Sequence, residues 1–114
     1  MILKPGEKVH VIMRRNFATD LRRHFFGEVV AAAECVIAVK GHAVVYNSGK
    51  NHYEVKPETG VRIISLTDAQ NIINIISRHA KIENTKYVLS ADKRLIVTDG
   101  KNFILDINEF GISR

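Results

Sequence analysis

A single cysteine, Cys35, is all this chain of 114 residues contains. That excludes an intrachain disulfide and leaves no argument for an oxidising compartment. No stretch approaches the roughly 18 consecutive apolar residues of a helical membrane span. The first residues include Lys4, Pro5, Glu7 and Lys8, where a secretory leader needs an apolar run. The expectation is a cytoplasmic protein with no membrane partner. No Pro-, Ser- or Gly-rich linker, repeat or low-complexity tract is present. The glycines form neither a dinucleotide fingerprint nor a Walker loop, so nucleotide-dependent catalysis is not expected and no cofactor is called for.

Chemistry-bearing residues are present but not grouped. The five histidines, His10, His24, His42, His52 and His79, have no pair at zinc-motif spacing, and a structural zinc site needs four converging ligands. They read as strand-borne surface or interface residues, with no metal site. Cys35, within Glu34-Cys35-Val36-Ile37, lacks a local nucleophile signature and reads as a buried, inert thiol. Glu28 and Glu34 are spaced for opposite ends of a strand rather than for shared acid-base work, and Asp92, Asp99 and Asp106 read as turn and surface residues. No catalytic residue is assigned and the chain is not expected to be an enzyme. A pocket gathering Cys35, His42 or Glu28 is the feature that would revive that class.

The composition is 46% hydrophobic and 25% charged, an ordinary globular balance that predicts order nearly end to end. A chain of this length buries roughly two-thirds of its unfolded surface and folds without staples. A single domain over 1–114 is expected. The net charge is +5, and residues 4–24 hold nearly all of it, with Lys4, Lys8, Arg14, Arg15, Arg22 and Arg23 against Glu7 and Asp20.

The pattern is all-β. Residues 8–13 alternate, with Val9, Val11 and Met13 on one face and His10, Ile12 and Arg14 on the other. Residues 15–23 have no period and read as a loop or single turn. Residues 24–33 and 35–46 form a hairpin turning near Ala33 and Glu34, with Gly27 marking a bend or bulge. Residues 47–51, Asn-Ser-Gly-Lys-Asn, are a strong turn signal before a strand at 52–55, and residues 57–60 separate off a further strand at 61–64. For 67–77 two readings compete, a capping-box helix and a turn followed by a β-branched strand; the strand is favoured. Residues 79–85 read as a connector with room for one helical turn. Residues 86–90, 94–98 and 102–107 close the chain as a meander whose Val88, Leu95, Val97, Phe103, Leu105 and Ile107 need cover from the barrel or from another subunit. The fold class is therefore all-β, a small SH3-like antiparallel barrel over 7–66 extended by a C-terminal β meander over 67–110 packed on it.

The runs Phe25-Phe26-Gly27-Glu28-Val29, Val39-Lys40-Gly41-His42-Ala43-Val44-Val45 and Gly60-Val61-Arg62-Ile63-Ile64-Ser65-Leu66, with Val97-Thr98-Asp99-Gly100-Lys101 and Leu105-Asp106-Ile107-Asn108-Glu109-Phe110, resemble a small group of uncharacterised bacterial proteins with an Sm-like barrel. The resemblance implies the fold and no assigned activity. Sm-like proteins generally form rings and bind RNA. Lys40-Gly41 matches the basic-plus-glycine part of their second motif, but it stands before the 47–51 turn rather than before a final strand. No RNA-binding residue is carried over on that basis.

Two functional classes follow. The leading one is a non-enzymatic homo-oligomeric module for structure or protein interaction, because antiparallel edges and the meander both seek cover. The alternative is nucleic-acid binding through residues 14–24, with Arg14, Arg15, Arg22 and Arg23 on phosphates and Phe17, Phe25 or Phe26 available to stack on bases. Neither class names a small-molecule ligand.

Overall fold

The computed structural model describes residues 3–14, 17, 22–68 and 70–107. These form two compact units, Met1–Arg78 and His79–Arg114, and both are built from antiparallel strands.

The first unit is a six-stranded sheet of β1 (Lys8–Met13), β2 (Arg23–Ala32), β3 (Val36–Asn47), β4 (His52–Val55), β5 (Gly60–Ser65) and β6 (Asn71–Ile76). Its order is β4-β3-β2-β1-β6, and β5 also pairs with β3. β3 is long enough to carry two partners in tandem along one edge. Its residues 36–41 pair with β5 and its residues 44–47 with β4, so the break at 56–59 divides what would otherwise be one strand. The β-branched run 71–76 forms β6 against β1, as the strand reading of that segment expects. The sheet is open, since β4, β5 and β6 lie at its edges. Closure into a barrel is not observed.

The sheet is nevertheless strongly curled. Val9 and Val11 of β1, Phe25 and Val29 of β2, Ile37 and Val39 of β3 and Ile64 of β5 share one buried cluster with Leu3, and Ile73 of β6 packs against it. The Arg62 guanidinium of β5 lies 5.2 Å from the Phe25 ring centre and donates from Nη1 to Met13 Sδ at 4.0 Å, spanning from β5 to β1. Curling follows from a glycine pair. Gly27 and Gly41 stand opposite each other in β2 and β3, and a Cβ on Gly27 would fall 2.2 Å from the Lys40 carbonyl oxygen. The register at Gly27 is regular; the β-bulge expected there falls instead between Val29 and Ala31. Gly27 acts through close backbone approach, which sequence cannot distinguish from a bulge.

The turns follow their residue chemistry. Ala33 N donates to Val36 O at 2.9 Å, closing the β2–β3 hairpin where expected. In the β3–β4 turn, Lys50 N donates to Asn47 Oδ1 at 3.1 Å and Asn51 takes φ 54°, a left-handed geometry that asparagine tolerates. The expected loop at 15–23 lies largely outside the described residues. Cys35 is exposed, not buried as expected, because it sits in the bend that precedes β3.

The second unit is a meander of β7 (Lys86–Leu89), β8 (Leu95–Thr98) and β9 (Ile104–Asp106), preceded by the single 3-10 turn Ile82–Asn84. Val97 and Ile107 are buried, and Val88, Leu95, Phe103 and Leu105 are half-buried. Between β8 and β9 only Gly100 takes positive φ, at 88°. Asp99 works through its side chain, accepting from the backbone N–H groups of Lys81 (2.8 Å), Lys101 (3.0 Å), Asn102 (2.6 Å) and Phe103 (3.3 Å) and from Asn102 Nδ2 (2.8 Å). Burial pulls its pKa up, but the donors, led by Lys81 N–H, outweigh that and hold the carboxyl well below its ordinary range.

Two outcomes are expected. Gly41→Ala, whose Cβ would meet the Phe26 carbonyl oxygen at 1.9 Å, should lower unfolding free energy in urea by about 3 kcal/mol or prevent folding. Gly60→Ala, with nothing within 4 Å, should change it by less than about 1 kcal/mol; equal effects would contradict the close-approach account. Asp99→Ala should speed amide exchange at Lys101, Asn102 and Phe103 by about tenfold or more, since all three backbone donors lose their acceptor. Unchanged exchange would show that the carboxylate does not organise the loop.

Candidate functional site

Strand register brings part of the basic segment together. Met13 is opposite Arg23 in the β1–β2 ladder, so Arg14 and Arg22 flank that pair at one end of the sheet. Arg14 and Arg23 are exposed and Arg22 is half-buried; Arg15 lies outside the described residues. The same end carries the C-terminus of β3 and the start of β4, because Arg23 is opposite Val45 and Tyr46 is opposite Tyr53. The Arg22 guanidinium lies over the Tyr46 ring at 5.5 Å, within cation–π range. Tyr46 N donates to Arg22 O at 3.0 Å, which fixes the pair through the backbone.

An aromatic row runs inward from that end. Tyr46 meets Tyr53 at 5.1 Å, Tyr53 stacks on His24 at 5.0 Å with 26° between the planes, and His24 meets His10 edge-on at 5.0 Å. Period-two alternation places all four on the face opposite the Val9 and Phe25 core. His10 and His24 are buried, which corrects the expectation of surface or interface histidines. The signal lay in their neighbours. Ile12, Phe26 and Val44 share that face and are also buried, so both faces of β1–β3 are apolar, as in a sheet covered on both sides.

Burial governs the charge of the two histidines. It pushes the His10 pKa down to about 3, with repulsion from His24 as the smaller cause. It pushes that of His24 down to about 4, helped by the Arg22 charge. Both rings are neutral near pH 7, so they extend the aromatic row rather than the basic one. Outside the row, Asn47 Nδ2 donates to Glu54 Oε1 at 3.3 Å and His52 lies 3.6 Å from the same carboxylate, and the Asn47 bond is the main reason the Glu54 pKa is lowered.

The other face holds a shallow depression of about 220 Å³ floored by Phe25, Gly41 and Ala43 and rimmed by Lys56, Glu58 and Arg62. On the opposite face, next to Phe26, His42 Nδ1 donates to the carbonyls of Lys56 (3.0 Å) and Glu58 (3.2 Å), pinning the segment that divides β4 from β5. Cys35, His42 and Glu28 do not line the depression. Among the described residues no three His, Cys, Asp or Glu side chains are placed to share a metal ion, and no helix is long and apolar enough to cross a membrane. Phe17, offered for base stacking, is 72% exposed, whereas Phe25 and Phe26 are buried in the sheet.

No protein-family model, curated protein or solved structure matches this chain.

The buried histidines predict a stability loss at mild acidity. Their unfolded pKa is 6.5 and their folded values are lower, so the unfolded chain takes up protons first. Stability is therefore whole above pH 6.5 and declines as pH falls, until each folded pKa is passed near 4 and 3. The slope should be about 1.4 kcal/mol per pH unit for each histidine. Urea unfolding between pH 7.5 and 5 should show it, and His24→Phe should roughly halve the slope. A flat profile would mean that the rings are solvated.

Proposed function

We propose that this chain is a cytoplasmic, non-catalytic β module that works by self-association, built on an opened form of an Sm-like or SH3-like sheet. The observation that carries this is the open sheet with apolar edges. Val61 and Ile63 on β5 are 60% and 66% exposed and Ile75 on β6 is 52% exposed, and edge strands of this kind are templates for pairing unless blocked. The strand order, with β6 returning to β1 and β4 and β5 in tandem on β3, supports the Sm-like reading of the Phe25–Val29, Val39–Val45 and Gly60–Leu66 runs. The lone cysteine supports a reducing compartment. Light scattering at micromolar concentration should give a multiple of 12.8 kDa. A mass of one chain would overturn the proposal.

A second reading, nucleic-acid binding, is favoured by Arg22 on Tyr46 beside Arg14, with Arg23 at the same end of the sheet on its other face, since cations interleaved with aromatics suit a single-stranded backbone and its bases. Residues 1–78 carry eleven Lys and Arg against seven Asp and Glu, a net +4 of the total +5. Affinity for mixed single-stranded RNA should fall with salt at about 0.7 log units per log unit of salt for each phosphate contact. Replacing Arg14, Arg15, Arg22 and Arg23 by alanine should flatten that slope; no binding at low salt would remove this reading.

A further inference from the structure

Resting on the self-association proposed above, we infer that the β5 edge pairs with the β5 edge of a second copy, antiparallel across a two-fold axis at Ile63. Backbone direction supplies the first argument. Leu66 N donates to Cys35 O at 2.7 Å, and the ladder continues from Val36 opposite Ser65 to Gly41 opposite Gly60. Backbone groups alternate along a strand, so those of Leu66, Ile64 and Arg62 point at β3 and those of Ser65, Ile63 and Val61 point to the edge that carries no further strand among the described residues. The side chains of these outward residues share the sheet face opposite the core; Ile64, on the core face, is buried, whereas Val61 and Ile63 stand exposed.

Charge supplies the second argument. β4 bears His52 and Glu54 and is flanked by Lys50 and Lys56, which are the usual devices that blunt an edge. Along β5 the only charge is Arg62, and its guanidinium is turned across the concave face onto Phe25 and Met13. The edge is left uncharged.

Register selects a second copy as the occupant. A strand pairs with itself in one continuous sheet only when the axis passes through a residue, so that partners share a face. An axis at Arg62 sets two guanidinium side chains opposite each other, which is unfavourable. An axis at Ile63 sets Ile63 against Ile63 and Val61 against Ser65, and every outward amide and carbonyl of 61, 63 and 65 meets one from the other copy. Ser65 O, which accepts from Asn71 Nδ2 at 3.3 Å, retains a second lone pair for this bond.

The test uses full-length chains bearing Ile63→Lys or Ile63→Glu, measured by light scattering and circular dichroism. Each variant alone should run as a folded single chain, because like charges meet at the axis, and an equimolar mixture should re-form a two-chain species. Wild-type assembly that persists in both variants would overturn the β5 interface while leaving self-association intact. Disassembly without re-formation in the mixture would overturn the two-fold register. A single-chain wild type would overturn both proposals. Should either variant unfold, Cys35→Ser/Ile63→Cys decides the matter by oxidation. Self-paired residues have Cα atoms about 5.5 Å apart, within disulfide reach, so it should link into a dimer. Cys35→Ser/Val61→Cys, about 13 Å from its own copy in this register, should not. Equal linking of the two would overturn the register.

Discussion

The approach of two backbones at Gly27 and Gly41 is the constraint on which the first unit depends. Gly60 stands opposite Gly41 in turn, so three adjacent strands place glycines in one row. With no side chains along that row, the sheet folds in on its concave face and strands far apart in order share a core. A Cβ at either of the two central positions would strike backbone, which cannot rotate away as a side chain can. The same row leaves the hollow beside Phe25 that the Arg62 guanidinium crosses. Curvature, core and the position of the one β5 charge are therefore consequences of the two missing side chains at Gly27 and Gly41.

Burial on the second face explains why the aromatic row is neutral. Two imidazoles that would become cations below about pH 6.5 if solvated stay uncharged well into acid, with desolvation the larger cause in each case. A protonated His24 would stand beside Arg22, already committed to Tyr46. The arrangement keeps positive charge at the sheet end, where Arg14 and Arg23 are exposed, and apolar stacking inside it. Acid is thus a structural stress rather than a way of enlarging the basic patch.

Most strands were legible because turn chemistry and β-branching are local. The 47–51 turn, the break before Gly60 and the C-terminal meander all declare themselves within a few residues, whereas the β6 run left helix and strand in competition. What was not legible is relational. Gly27 reads alike as bulge or close approach until Gly41 is known to face it. His10 reads as solvent-facing until Ile12, Phe26 and Val44 are seen on its face. Cys35 reads as core because its neighbours Val36 and Ile37 are apolar, yet the hairpin bend turns it outward. Of the four arginines expected to act together, Arg14, Arg22 and Arg23 come to one end of the sheet only through the Met13–Arg23 register, which no spacing in sequence encodes.

The basic end and the uncharged edge occupy different stretches of β3, and this separation bears on how the two readings combine. β5 lies along residues 36–41, while the Arg22 and Tyr46 cluster lies at the other end of the strand, beside 44–47. Pairing through β5 therefore does not consume the arginines, nor does it force two net-positive ends into contact at the interface. A dimer so formed would carry two basic ends in fixed relation, and a strand able to reach both would gain affinity by effective concentration without any new contact. Self-association would then set the spacing of the basic sites, so the β5 edge would act on nucleic-acid affinity without touching nucleic acid.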